Sequence, residues 1–298
     1  MGRVWWPNYN GAAPGAFSGV VLSSLRSTIR KSMCMTEEID PTTPASPRVW
    51  NYWLGGKDNY ESDRAVGDRV LQTTPQIVDL ARTSRAFHVR AVTYLTGECG
   101  VEQFLDIGTG LPTANNTHEV AQRVNPAARI VYVDNDPIVL AHARALLTST
   151  PEGETRYLDS DLRDPAALLK GVRNAGILDF SEPIALMLIN ILGHIEDWEQ
   201  ARRIVASLVD ALPAGSYLVV SDNTNVVDPE SMNEAARIYN ENASPRVTLR
   251  TPEHFAELFT GLDLVEPGLV SCPHWRPDPS QVGEPRVVDQ IGAVGRKR

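Results

Sequence analysis

Short apolar runs alternate with longer stretches of helical period from about residue 75 to the end of the chain. Phe104–Ile107, Ile130–Val133, Thr155–Leu158, Pro183–Asn190, Ser216–Val220, Leu262–Val265 and a late segment around Val287–Val294 read as strands, Phe104–Ile107 as a buried one and Pro183–Asn190 as the most apolar. The segments between them read as helices. From Pro75 to Leu95 the apolar positions Ile77, Leu80, Ala81, Phe87, Ala91, Tyr94 and Leu95 keep one face. That leaves Arg82, Arg85 and Arg90 for the other face, with His88 packed. Asn116 and Glu119 form a capping box, and Asp136–Pro137 and Asp164–Pro165 set an N-cap before a proline. Asp197 caps a helix whose apolar face includes Ile204, Val205, Leu208 and Leu212. Asp228–Asn242 is an extra helix that could border a substrate, and Thr251–Pro252 opens a helix that Gly261 stops. Strands alternating with helices predict a doubly wound α/β domain.

The chain before residue 101 is different. Residues 1–34 are rich in Gly, Ser and Ala, contain Arg3, Arg26, Arg30 and Lys31, and have no acidic residue. They read as a disordered or extraneous extension, with Met33 or Met35 as the true start. Thr36–Pro47 reads as an extended linker, and residues 35–100 as linker plus helical cap on a ligand-binding domain at 101–298. Three large aromatics in Arg48–Tyr60 lead into Gly55–Gly56 and then Lys57, Asp58 and Asn59. This stretch is a lid helix that stacks on a planar ligand, a helix packed on the core with Gly55 as its C-cap, or both.

The 298 residues carry a net charge of −9, and the basic first 34 leave the remainder more acidic still. Such a body disfavours nucleic acid as the main partner. Cys34, Cys99 and Cys272 stand far apart with no CxxC, so no zinc site or disulfide framework is expected. The apolar run Ile184–Leu192 is too short to span a membrane. These features suit a protein of the reducing cytoplasm.

The candidate chemistry lies at the strand ends. Asp106 and the turn Gly108–Thr109–Gly110 close the first strand, Asp134 and Asn135 the second, Asp161 and Leu162 the third, and Asn190 the fourth. Open α/β sheets bind ligands at these ends. Gly108 and Gly110 let a ligand lie against the backbone. A dinucleotide fingerprint needs a third glycine where Thr113 stands, which weighs against NAD. Asp134, 26 residues beyond Gly108, stands roughly where an acid accepts from a ribose diol.

With these motifs in hand, Asn51–Tyr60, Phe104–Pro112, Val131–Pro137 and Val265–Val270 together resemble a bacterial family of S-adenosylmethionine-dependent methyltransferases of class I with no settled substrate. The likeness covers about Thr36 to Lys297. It implies a Rossmann-like, mostly parallel sheet of seven strands in the order 3-2-1-4-5-7-6, the last antiparallel, under an N-terminal helical lid. It implies that Asp106, Gly108, Thr109 and Gly110 cradle the amino-acid part of S-adenosylmethionine and that Asp134 and Asn135 take the ribose. Asp161 and Leu162 would border the adenine, and Asn190–Leu192 would lie beneath the sulfonium. The acceptor is expected to be a small molecule. The Asn-Pro-Pro-Tyr motif of enzymes that methylate amines is replaced by Asn190-Ile-Leu-Gly193, which argues against DNA adenine or glutamine. His194 is the candidate base or, alternatively, a residue that caps or packs near the Asp197 helix. Tyr52, Lys57, Asp58, Asn59 and Arg85 are candidate cofactor or acceptor contacts by position. The alternatives are a non-catalytic regulator that binds the same cofactor, an NAD dehydrogenase, and an aminopropyl transferase.

Overall fold

The computed structural model describes residues 40–146, 149–278 and 283–298. The expected extension at 1–34 lies outside them. So does Leu147, the expected end of the helix after the second strand.

The central sheet is built from β1 (Gln103–Ile107), β2 (Arg129–Asp134), β3 (Glu154–Asp159), β4 (Ala185–Ile189), β5 (Tyr217–Asn223), β6 (Leu262–Leu264), β7 (Val270–Ser271) and β8 (Gln290–Lys297). Its order is β3-β2-β1-β4-β5-β8-β6, and β7 pairs with β8. The first five strands are parallel, while β8 runs antiparallel to β5, β6 and β7. The sheet therefore has eight strands, not seven. The added one is the two-residue β7, whose Val270 and Ser271 pair with Gly292 and Ile291. Without it the order is the expected one.

Both faces of the sheet are covered at β1, β2, β4 and β5, which is why these strands read as apolar runs. The edge strands β3 and β6 are part-exposed and mixed in composition, so the third strand is not buried. Alternate side chains enter opposite cores. Leu105, Val131, Leu186 and Leu218 pack with α6 (Pro165–Ala175) and α7 (Trp198–Asp210). Phe104, Ile130, Met187 and Val219 pack with α3 (Ile77–Gly97) and α4 (Thr117–Val124). Helix starts follow local chemistry. Asn116 and Glu119 close the capping box of α4. Asp136 Oδ1 accepts from the Ile138 amide at the start of α5 (Pro137–Leu146). Asp164 and Asp197 accept from first-turn amides of α6 and α7.

A third apolar cluster forms the cap. It joins α1 (Ser46–Trp53), α2 (Glu61–Thr73), the start of α3 and α8 (Pro229–Asn242) through Val49, Trp53, Val66, Val70, Ile77, Leu80, Met232 and Tyr239. Helix α1 begins at Ser46, inside the stretch expected to be extended, and takes Pro47 into its first turn where the missing N–H costs nothing. Helix α2 was not anticipated. Its inward face is Asp63, Val66, Gly67 and Val70, at helical spacing but with two apolar side chains only. Asp63 is fully buried and pairs with Arg48 of α1 at 2.9 Å. Asp63 also accepts from the Ala45 and Tyr60 amides, so one carboxylate anchors both ends of the lid turn. The last helix, α9 (Pro252–Glu257), completes the fold. No helix among the described residues is long and apolar enough to cross a membrane.

Candidate functional site

A cleft of about 990 Å³, with the solvent at its mouth included, opens at the carboxyl ends of β1, β2 and β4, beneath α1. Its floor includes Asp106, Gly108, Thr109, Gly110, Asp134, Asn135 and Asn190; Arg85 and His194 stand at its sides. The turn after β1 needs its glycines. Gly108 has φ +74°, and a Cβ there would meet Ile191 at 2.5 Å. Gly110 has φ +64° with open space where a Cβ would point, so its backbone faces the cleft bare.

Two buried carboxylates flank this turn. Asp106 Oδ2 accepts from Thr117 Oγ1 at 2.5 Å, and His88 Nε2 donates to the same hydroxyl at 2.8 Å. Asp134 Oδ2 accepts from the Gly110 amide and Oδ1 from the Asp136 amide, each at 3.0 Å. Burial pushes both carboxyls up to about 6, against the lowering effect of these hydrogen bonds. Arg85 is the cation nearby. It donates to the Ala114 and Asn115 carbonyls, and burial lowers its pKa while the Asp106 charge works the other way.

Asn190 ends β4 in a left-handed conformation at φ 55°. Its Nδ2 donates to Ser84 Oγ at 2.6 Å and its Oδ1 accepts from Gln290 Nε2 at 2.8 Å. Its side chain is thus fixed from α3 on one side and β8 on the other.

His194 lies on the short 3₁₀ turn Leu192–His194 after β4. Its Nδ1 donates to the Arg246 carbonyl at 2.9 Å, because a carbonyl can only accept. The neutral ring therefore carries its proton on Nδ1, and Nε2 accepts from Ser46 Oγ of α1 at 3.0 Å. Burial lowers the His194 pKa, with the Arg246 hydrogen bond and the Asp222 charge opposing. The residue borders three spaces at once: the cleft, a lobe of about 460 Å³ lined by Asp161 and Leu162, and an apolar lobe of about 500 Å³ beneath α1 and α8.

Every expected strand-end residue thus lines the cleft or the lobe beside it. The lid residues are placed differently. Tyr52 donates from its hydroxyl to Asp68 of α2 at 2.5 Å. The Asp58 amide and the Asn59 side chain both donate to Asn51 Oδ1. Lys57 is exposed. None of these four lines the cleft. The reason is helix phase: Ser46, Pro47, Trp50, Asn51 and Leu54 form the inner face of the lid, and the Gly55–Gly56 turn folds Lys57–Asn59 back outside Asn51. Helical spacing of Trp50, Asn51 and Leu54 was the available signal. Ser46, Ser84 and Gln290 left no local signal.

The model of a family described as S-adenosyl methyltransferase matches residues 32–298. The chain belongs to this family. Two solved structures are similar to the methyltransferase over most of its length. A DUF574 family protein from Streptomyces avermitilis is 42% identical, covers 88% of this chain and 100% of its own, and superposes with a TM-score of 0.84. A candidate methyltransferase from Thermobifida fusca is 40% identical over 86% of this chain and 96% of its own, with a TM-score of 0.78. Among curated proteins none matches the methyltransferase. The family is one that uses S-adenosylmethionine, and the cleft suits that group. It pairs a bare glycine backbone with two buried carboxylates, a half-buried arginine and a lobe beyond Asp134.

Proposed function

We propose that this enzyme methylates a small-molecule acceptor, with the cofactor held across the ends of β1, β2 and β3 and His194 as the base. The observation that carries this reading is the position of His194, whose unprotonated Nε2 stands where the cofactor cleft and the apolar lobe meet. When bound, S-adenosylmethionine supplies a methyl carbon on a sulfonium, which a nucleophile takes while the bond's electron pair stays on sulfur. The chain's residues divide the remaining work. Asp134 accepts from the ribose hydroxyls, and Asp161 and Leu162 border the adenine. The bare Gly108–Gly110 backbone and the Arg85 guanidinium receive the amino-acid end, with Asp106 as the partner for its ammonium. Asn190, locked by Ser84 and Gln290, forms the wall between the two ligands. His194 takes the nucleophile's proton at Nε2 once the Ser46 hydroxyl turns away from it, and keeps its own on Nδ1 against Arg246. Such a base contributes about 10²–10⁴ to the rate.

The acidic body supports an acceptor other than nucleic acid, the similar Streptomyces and Thermobifida proteins support a bacterial setting, and three scattered cysteines without a CxxC support the reducing cytoplasm. Neither the fold nor the family favours a regulator, a dehydrogenase or an aminopropyl transferase.

Calorimetric titration with S-adenosylhomocysteine from pH 5 to 8 tests the cofactor site, with NAD as control. An ionised carboxylate accepts hydrogen bonds that a protonated one partly gives up. Asp106 and Asp134 titrate near 6, so affinity should be weakest at pH 5, rise through about 6, and level off above 7. The expected gain is about ten-fold. Tight NAD binding, or a flat profile, would contradict the placement.

His194→Gln should lower kcat about 100-fold or more and leave S-adenosylhomocysteine affinity within a few-fold. Because burial lowers the His194 pKa, wild-type kcat at saturating cofactor should rise with pH about a midpoint below the ordinary imidazole value. The variant should lose that limb.

A further inference from the structure

The apolar lobe beneath α1 and α8 is not used by the cofactor reading, and its chemistry is uneven. Its walls are Trp50 and Trp53 of α1, Val70, Ile77, Met232 and Leu249, with Ala235 and Ala236 leaving room along α8. It spans about 500 Å³ with the solvent at its mouth included. Polar groups gather on one side, where Asn190, His194, Asp222 and Asn223 follow the ends of β4 and β5, and Tyr239 of α8 adds one buried hydroxyl from across the lobe. Among the described residues no Lys or Arg lines the lobe. Arg250, whose charge acts on Asp222, spends its guanidinium on the carbonyls of Leu192, Ile195 and Glu196. Asp222 itself accepts from the Gly193 and Asn223 amides. Asn223 is 9% exposed, and its Oδ1 is a buried acceptor without a partner. Such an acceptor is costly to leave unpaired and rewards a ligand that donates to it.

We propose that this lobe is the acceptor site, and that it takes an uncharged, flat, largely apolar ring compound whose hydroxyl or amino group donates to Asn223 Oδ1 beside His194. This rests on the methyltransferase reading and adds the substrate class. Aromatic walls at α1 suit ring stacking or edge contact. The lack of any cation, together with the buried Asp222, rejects carboxylated and phosphorylated acceptors. The donating group is also the nucleophile. Its oxygen or nitrogen forms the new bond to the methyl carbon and the sulfur keeps the electron pair of the broken bond. An amino group keeps one N–H on Asn223 Oδ1 and gives the other proton to His194 Nε2, whereas a hydroxyl turns its single proton from Asn223 Oδ1 to Nε2.

The test is calorimetry on the full chain saturated with S-adenosylhomocysteine. The probes are 4-propylphenol, 4-propylaniline, 1-fluoro-4-propylbenzene and 4-propylphenyl phosphate. The phenol or the aniline should bind about ten-fold more tightly than the fluoro compound, and the phosphate should not bind. The better of the first two identifies the nucleophile class. Asn223→Leu should erase the preference over the fluoro compound. Ala236→Phe, which fills the lobe, should weaken every ring probe about ten-fold or more, with S-adenosylhomocysteine affinity as the check that each variant is folded. Equal binding of phenol, aniline and fluoro compound, tight binding of the phosphate, no ring binding at millimolar concentration, or indifference to Ala236→Phe would overturn the proposal. Failure of the wild type to bind S-adenosylhomocysteine would instead overturn the cofactor reading beneath it.

Discussion

Asp134→Ala should weaken S-adenosylhomocysteine binding at least about 100-fold. Hydrogen bonds to a charged group contribute about 1.5–3 kcal/mol each, and a ribose diol offers two. The same carboxylate holds the Gly110 and Asp136 amides, so its loss also frees the glycine turn that the ligand rests on. The two effects separate in Asp134→Asn. The amide keeps an acceptor for one backbone N–H but no charge, so affinity should fall by an intermediate amount. Binding in both variants is read by calorimetry at pH 7.5, where the wild-type carboxyl is ionised. An affinity for Asp134→Ala within three-fold of wild type would place the ribose elsewhere.

Asp63→Ala should cost about 3–5 kcal/mol of stability, the usual result of stranding one member of a buried ion pair. Arg48 and Asp63 have side chains 5% and 0% exposed, so solvent does not screen the loss. The Ala45 and Tyr60 amides lose their acceptor in the same step. A double change, Arg48→Met with Asp63→Leu, should recover part of the loss because no charge is then stranded. Recovery stays incomplete, since neither new side chain accepts from those amides. Urea denaturation followed by tryptophan fluorescence measures all three. The functional consequence follows from position. Helix α1 supplies Ser46, Pro47, Trp50 and Asn51 to the cleft, so a loosened anchor should also weaken S-adenosylhomocysteine binding.

Those anchors explain what could and could not be read from the chain alone. Caps and strand ends are local. Asp136, Asp164 and Asp197 bond amides two or three residues away, Asp106, Asp134 and Asn190 stand at the ends of apolar runs that announce themselves, and Asp161 follows the mixed edge strand β3. Helix α2 is not local in this sense. Half of its inward face is Asp63 and Gly67, and the burial of Asp63 depends on Arg48 fifteen residues earlier. The lid contacts depend on helix phase, which one residue of offset reverses, so Tyr52 stands outside while Trp50 and Asn51 stand in the cleft. Strand β5 runs three residues past its expected end at Val220 because β8 pairs with it there, Asp222 against Ile291 and Asn223 against Gln290. That pairing carries Asp222 and Asn223 into the apolar lobe. The bond between Ser46 and His194 joins residues 148 apart, and only the fold brings them together.

The most direct test of the central claim is a crystal structure of the full chain with S-adenosylhomocysteine. The expected result is the ribose hydroxyls on Asp134, the adenine beside Asp161 and Leu162, the carboxylate toward Arg85, and the sulfur facing Asn190 and His194. A ligand bound away from the ends of β1 and β2, or one whose sulfur points away from His194, would contradict it.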